Sequence, residues 1–228
     1  VRIPTTSELR AAQRDVTEGI GSRLDSLAER SRQLERQTED ASREQARSEN
    51  QSRVGEQALS YEQAQKAKAI AESQEALLEE AEALKEALQQ LEESVEQAGL
   101  DDPAFREQLQ QLQEQLNRAL TPEMREKLAE LQRALQELNA EQTQQALQDL
   151  AKAQEQLREA LERSRELFER AALEGDLANL AEEAKDLAAE QREWTEEAQR
   201  ADSAAAAAEE KALADRADSL AAAMKETA

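Results

Sequence analysis

Residues 64–98, AQKAKAIAESQEALLEEAEALKEALQQLEESVEQA, constrain the fold more than any other stretch. Small or apolar side chains recur there in three-four alternation: Ala67, Ile70, Leu77, Ala81, Leu84, Leu88, Leu91, Val95 and Ala98. Only Gln74 breaks the series. Steps averaging about 3.5 residues keep one narrow stripe on one face of an α-helix. The rest of that helix is Glu, Gln and Lys, so the stripe must be covered by another helix. Packing is the role expected of Ile70, Leu77, Leu84, Leu88 and Leu91, either within the chain or against a partner.

Composition extends this expectation to the whole chain. Aromatic residues make up 2% of the 228 residues: Tyr61, Phe105, Phe168 and Trp194. Globular enzymes of this length enclose more aromatic and β-branched side chains. Leu, Ala, Glu, Gln and Arg dominate, as in long helices and coiled coils. Five Gly and three Pro leave room for few turns. The fold class expected is all-α: an elongated antiparallel coiled coil or helical bundle with long helices and thin seams.

The net charge of −22 is uneven. Residues 1–60 hold ten Arg against eleven acids, and the remainder 19 basic against 40 acidic residues. An acidic surface repels nucleic acid and anionic lipid, so no nucleic-acid partner is expected. The acids of the Arg-rich first segment are interleaved with its Arg and cancel the field. There is no Cys, hence no disulfide or thiolate chemistry. No apolar run approaches the ~20 residues that span a bilayer, and no signal peptide is visible. The chain starts at Val1 and not at Met, which suggests a processed form or an excised fragment. Membrane contact is then expected only through parts absent from this chain.

Taken in order, residues 1–6 read as an extended lead-in, since Pro4 disfavours helix at Ile3. Thr5 and Glu8 fit a capping box, which starts a first helix near Thr6 or Ser7. Its seam is Leu9, Val16, Ile20, Leu24, Leu27 and Leu34, with Gly19 and Gly21 as a candidate bend. The seam fades from Thr38 to Arg53 and resumes at Val54, Ala58 and Tyr61. No Pro interrupts, so one helix of roughly 92 residues, about 140 Å long, is expected up to residue 98. AGLDDP at 98–103 is the clearest turn. Thr121-Pro122 restarts the chain with a cap and a Pro in the first turn, and Asn139 with Gln142 marks a weaker turn. Gly175-Asp176 reads as the last break, a closing Gly followed by a capping Asp. Beyond it the seam is Leu177, Leu180, Ala184, Leu187, Gln191 and Trp194. After the alanines 204–208 it resumes at Leu213, Ala217, Leu220 and Met224.

Segments 7–60 and 176–228 are nearly equal in length, and the second carries 14 acids against 6 bases. The expectation is that they pair as an antiparallel stalk, with 61–174 folded as a bundle at one end. Trp194 would then fall near Ala41. Trp194 is also the residue best suited to anchor a partner, although its place on its own helical seam favours packing. Gln74 and Gln191 at seam positions are candidates for specifying register.

Catalytic constellations are scarce. With neither His nor Cys, imidazole and thiolate chemistry are excluded, and so are metal sites built on them. No phosphate-binding or dinucleotide fingerprint occurs. Ser60, Ser73 and Ser94 lack an activating base. The pairs Glu79-Glu80, Glu92-Glu93, Glu182-Glu183 and Glu196-Glu197 point about 100° apart on a helix, which reads as a solvated face. No catalytic residue, cofactor or metal is expected.

Met124 to Trp194 reads MREKLAELQRALQELN, then ALQDLAKAQEQLREALERSRELFERAALEGDLANLAEEAKDLAAEQREW. This stretch resembles the large bacterial membrane-anchored proteins of the domain of unknown function 4175 type. The nearest similarity is LERSRELFERAALEGDLANLAEEAKDLAAEQ: a Leu/Phe-rich helix, a break, then a helix of AEEAKDLAAEQ type. The resemblance implies an N-terminal membrane anchor, absent here, and a periplasmic or extracytoplasmic location. That family has no established activity, so no functional residue carries over. The role expected is a non-enzymatic structural or scaffolding segment, a spacer or protein-assembly module of the bacterial cell envelope. Its partners would be helices, of the same chain or another protein. A lipid- or surface-associated amphipathic bundle is the alternative.

Overall fold

The computed structural model describes residues 6–51, 59–97, 103–198 and 203–226, with side chains described for 11–48, 59–96, 103–195 and 209–225. Six helices account for nearly all of this: α1 Thr6–Gln51, α2 Tyr61–Gln97, α3 Pro103–Ala119, α4 Pro122–Gln136, α5 Ala140–Ala198 and α6 Ser203–Glu226. The fold is an all-α helical bundle.

The helix ends follow local chemistry. Ser60 and Gln63 form a reciprocal capping box: Ser60 Oγ accepts from the Gln63 amide at 3.3 Å, and Gln63 Oε1 from the Ser60 amide at 3.1 Å. The expected 92-residue helix is therefore two helices, α1 and α2, and the chain reverses between them. Val54 and Ala58 lie outside the described residues, as do the turn residues 98–102. Thr121 caps α4 by accepting from the Met124 amide at 3.3 Å, with Pro122 in the first turn. At the α4–α5 corner, Leu138 adopts a positive φ of 50°. Its amide donates to Leu135 O and the Asn139 amide to Ala134 O, which closes α4 as a Schellman motif. Asn139 Oδ1 then accepts from the Gln142 amide at 3.0 Å and starts α5. The Leu59 amide donates to Leu138 O, tying the α1–α2 connection to this corner.

α1, α2, the α3–α4 pair and α5 occupy the four corners of the bundle. α1 lies between α2 and α5, and α3 and α4 pack on those same two helices from the other side. Polar contacts fix antiparallel registers. On α5, Asp176, Arg165, Glu162 and Arg158 pair in turn with Arg14, Asp25, Arg32 and Glu35 of α1. On α2, Glu80 and Lys66 pair with Arg30 and Glu44 of α1. Glu82 of α2 pairs with Arg125 of α4. The core runs down the middle through fully buried side chains such as Leu24, Leu88, Leu116, Leu131 and Leu157. Each buried Leu is worth about 1.5–3 kcal/mol, so this column dominates stability.

α5 is the structural spine. Up to Ala171 its apolar series faces the bundle: Leu147, Leu150, Leu157, Leu161 and Phe168 are buried. From Leu173 a second series begins, Leu173, Leu177, Leu180, Ala184 and Leu187, displaced by two residues. Two residues rotate the stripe by roughly 200°, onto the opposite face. α6 packs back along this part of α5, with Arg216 paired to Glu190 and Ala223 beside Asn179 and Leu180.

This face switch replaces the break expected at Gly175-Asp176. Helix α5 continues through both residues. Gly175 serves packing: a Cβ there would stand 3.4 Å from the Phe105 ring. Gly21 does the same for Phe168, at 3.5 Å, and α1 runs on through it. The expected stalk of 7–60 with 176–228 is not the arrangement found. α1 packs on α2 and α5 inside the bundle, and α6 forms a hairpin with the end of α5. Among the described residues, the start of α1 comes near the last helix, where Ala11 and Arg14 line one groove with Asp176 and Ala223.

Candidate functional site

The five predicted seam residues of α2 lie on one strip turned into the bundle: Ile70, Leu77, Leu84, Leu88 and Leu91 are 0–4% exposed. They are covered by helices of the same chain. Trp194 is not brought to them. It is half-buried on the part of α5 that carries α6, far along the chain from Ala41, which packs against the bundle core. Gln191 is exposed and Tyr61 is 80% exposed at the first turn of α2, so neither fills a seam. Of the carboxylate pairs, Glu80 binds Arg30 and Glu92 accepts from Gln110 and Gln113. Glu196 and Glu197 have side chains outside the description. Among the described residues, no group of three His, Cys, Asp or Glu is placed to hold a metal ion. Among them also, no helix is long and apolar enough to cross a membrane.

A buried polar seam runs along α1. From Glu35 to Ser48 its buried side chains are Thr38, Ser42 and Gln45, and Ser31 is buried one turn before Glu35. The register places Thr38, Gln74, Leu131 and Gln154 at one level of the bundle. All four are 0–1% exposed. Gln154 Nε2 donates to Gln74 Oε1 at 2.8 Å, a bond that crosses the bundle diagonally from α5 to α2. Gln74 Nε2 and Gln154 Oε1 have no hydrogen-bond partner. Turning both amides over would still leave one donor and one acceptor unused. The Thr38 hydroxyl at this level donates to Leu34 O at 2.9 Å. Ser31 Oγ and Ser164 Oγ are also buried without a partner. Unpaired buried groups of this kind cost about 1–3 kcal/mol each.

Ion pairs hold α1 where apolar contacts thin out. Arg32 Nη2 donates to Glu162 Oε1 at 2.7 Å, Arg158 Nη1 to Glu162 Oε2 at 3.0 Å, and Arg158 Nε to Glu35 Oε2 at 2.6 Å. The Arg32 hydrogen bond, seconded by Arg158, holds the Glu162 carboxyl below the usual carboxylate range against the opposing pull of burial. Burial pushes the Arg158 guanidinium down, but Glu162 and Glu35 outweigh it and raise it overall. Along the α1–α2 seam, two grooves open to solvent follow one another. The larger is about 520 Å³ and lies over Leu27 and Leu84, between Arg23 and Ser26 on one side and Ala83 on the other. The second lies over Leu34 and Leu77.

Gln74 was legible as a seam break. Gln154, three-four spaced between Leu150 and Leu157, carried the same signal, as did Ser164 between Leu161 and Phe168. A second feature, the strip of exposed apolar side chains Leu173, Leu177 and Met224, follows from the face switch of α5. Comparison with protein-family models, with curated proteins and with solved structures gives no match to this chain.

Proposed function

We propose that this chain is a non-enzymatic scaffold segment, a spacer and protein-assembly module that works through its helix faces. The observation that carries this reading is α5. It is a 59-residue helix that closes a four-cornered bundle along its first part and carries α6 along its last. At 1.5 Å per residue it is about 90 Å long, a rod joining two packing units. The grooves between helices are open to solvent, floored by Leu and rimmed by Ser, Ala, Arg, Gln and Glu, in keeping with recognition along a face and not with turnover in a pocket. The net charge of −22 disfavours nucleic acid and anionic membrane surfaces as partners. Placement in the bacterial cell envelope rests on the resemblance of residues 124–194 alone.

The test is small-angle scattering with light scattering and circular dichroism, with and without anionic phosphatidylglycerol vesicles. The expected result is a long, thin particle whose mass, profile and helicity ignore the vesicles. Co-flotation with the vesicles, with a change in helicity, would overturn the scaffold reading in favour of a lipid-associated bundle.

A further inference from the structure

The hairpin of α5 and α6 is thinly packed. Among the α6 side chains described, 209–225, only Leu220 is buried, and Arg216 pairs with Glu190 of α5. Helices in water are held chiefly by burial of an amphipathic face, so this hairpin is short of cover. Leu187 of α5 and Leu220 of α6 are buried and mark the line where the two helices meet. At about 100° per residue, that line divides the hairpin into two flanks. Asp176, Asn179 and Glu183 of α5 and Ala223 of α6 turn to one flank, where they line a groove with Ala11 and Arg14 of α1. The other flank takes Leu177, Ala181, Ala184 and Ala188 from α5, and Ala214, Ala217, Ala221 and Met224 from α6. Each row keeps three-four spacing, which makes a second apolar seam on its helix. Ala184 is half-buried and the other seven are exposed, Leu177 at 48% and Met224 at 52%.

Charge divides along the same line. Asp176, Glu183 and Glu190 lie on the α1 side. On the rim of the other flank, α5 carries Lys185 and Arg192, and α6 carries Glu210 and Asp218. Toward the bundle the rim ends in Arg170, Glu174 and Lys225, and Glu174 accepts a hydrogen bond from Gln108. The α5 rim is therefore basic and the α6 rim acidic along the apolar rows.

We propose that this flank is the interface of a symmetric dimer, in which the hairpins of two copies close into a four-helix bundle. The rims select the pairing. α5 of one copy packs antiparallel on α6 of the other about a two-fold axis parallel to the helices. The register of the hairpin, fixed by Glu190 with Arg216, carries over unchanged to the second copy. It sets Lys185 within about one turn of Asp218 of the second copy, and Arg192 within about one turn of its Glu210. Ala184 and Ala188 then face Ala221 and Ala217 of the second copy, and small side chains on both sides let the helices approach closely. Pairing of like helices, α5 on α5, sets Lys185 and Arg192 against their own copies and is opposed by charge. The net charge of −22 works against self-association in general, whereas the rims of this flank attract. This inference rests on the assembly reading and names a second copy of the chain as the partner.

The test uses the full chain. Sedimentation equilibrium is expected to give twice the chain mass of 25.4 kDa at concentrations above the order of micromolar. The variant A188E/A217E places charge at two exposed alanines of the seam. It is expected to raise the dissociation constant about a hundredfold or more, with the helicity of the chain unchanged. K185E is expected to weaken the dimer about tenfold, and K185E/D218K to restore it, because the swapped charges meet again across copies. Within one chain Lys185 and Asp218 stand on opposite outer edges of the hairpin, so a disulfide between them joins two copies. In this cysteine-free chain, oxidised K185C/D218C is expected to run as a covalent dimer on a denaturing gel, and K185C and D218C alone as monomers.

A monomeric mass at every concentration, in a chain that still ignores vesicles, would overturn the dimer and leave the scaffold reading standing. A dimer that A188E/A217E does not weaken would overturn this flank as the interface. Cross-linking of K185C alone would overturn the pairing of α5 with α6 in favour of α5 on α5. A monomer that co-floats with phosphatidylglycerol vesicles would overturn both the dimer and the scaffold reading.

Discussion

α1 and α2 run antiparallel beside each other and are built on the same three-four spacing, yet they are held by different forces. α2 buries Ile70, Leu77, Leu84, Leu88 and Leu91 along one strip. Level with that strip, α1 offers Ile20, Leu24, Leu27 and Leu34, and then Thr38 and Ala41. What α1 lacks in apolar area it makes up with cross-helix ion pairs, which α2 uses sparingly. Neighbouring helices of one bundle can thus divide the work. Apolar burial fixes that the helices collapse, and polar pairing fixes where along each other they stop.

The comparison can be broken at several points. Leu88→Ala in α2 empties a site that is 0% exposed. It is expected to cost about 3–4 kcal/mol of unfolding free energy by urea titration, the largest single effect. Gln154→Leu removes one end of the diagonal bond and leaves Gln74 buried with neither polar group paired, a loss of about 2 kcal/mol. The double variant Gln74→Leu/Gln154→Leu is expected to recover most of that loss. A double-mutant cycle measures the recovery, and strict additivity would show that the bond is not coupled.

Glu162→Gln is expected to cost about 0.5–1 kcal/mol at pH 6, the range for partly exposed pairs. The carboxyl of Glu162 is held low in the folded protein, first by Arg32 and then by Arg158. Its contribution is therefore complete above the unfolded value of about 4.3 and disappears as pH falls through the lower folded value. The variant and the parent should converge in stability near that lower pH. A difference that persists there would mean Glu162 acts by packing and not by charge. Ser31→Ala and Ser164→Ala each remove an unpaired hydroxyl and are expected to stabilise by about 0.5–1 kcal/mol. Leu138→Gly relieves a left-handed residue whose side chain is 55% exposed. It is expected to stabilise by about 0.5 kcal/mol, the smallest effect and one that bears on the corner shared by both helices.

The fold class, the α2 stripe, the Thr121-Pro122 start and the Asn139 corner were legible because each depends on local chemistry. Three features were not. The reversal before Tyr61 is signalled by Ser60 and Gln63, a capping box that is weak as a pattern and decisive once its two hydrogen bonds form. Gly175-Asp176 looked like a helix end because Gly closes helices and Asp caps the next one, and the apolar phase changes at the same place. In the fold that phase change moves the stripe to the other face of an unbroken helix, and the glycine makes room for Phe105. The pairing of α1 with α5 and α2 was hidden because charge balance favours many antiparallel partners equally. Buried volume decides among them, and it depends on all four corners at once. Of the candidate site, Gln74 and Gln154 were each visible as a break in an apolar series, but the bond that joins them across the bundle exists only in three dimensions.

The central claim is that residues 35–48 of α1, which bury Thr38, Ser42 and Gln45 in place of large apolar side chains, are held less firmly than the apolar strip of α2. Residue-resolved native-state hydrogen exchange in low urea tests it most directly. The account predicts that amides of residues 35–48 open with a lower free energy than those of residues 70–91, in a sub-global step that leaves α2, α4 and α5 protected. Exchange of α1 and α2 amides together, through global unfolding alone, would contradict it.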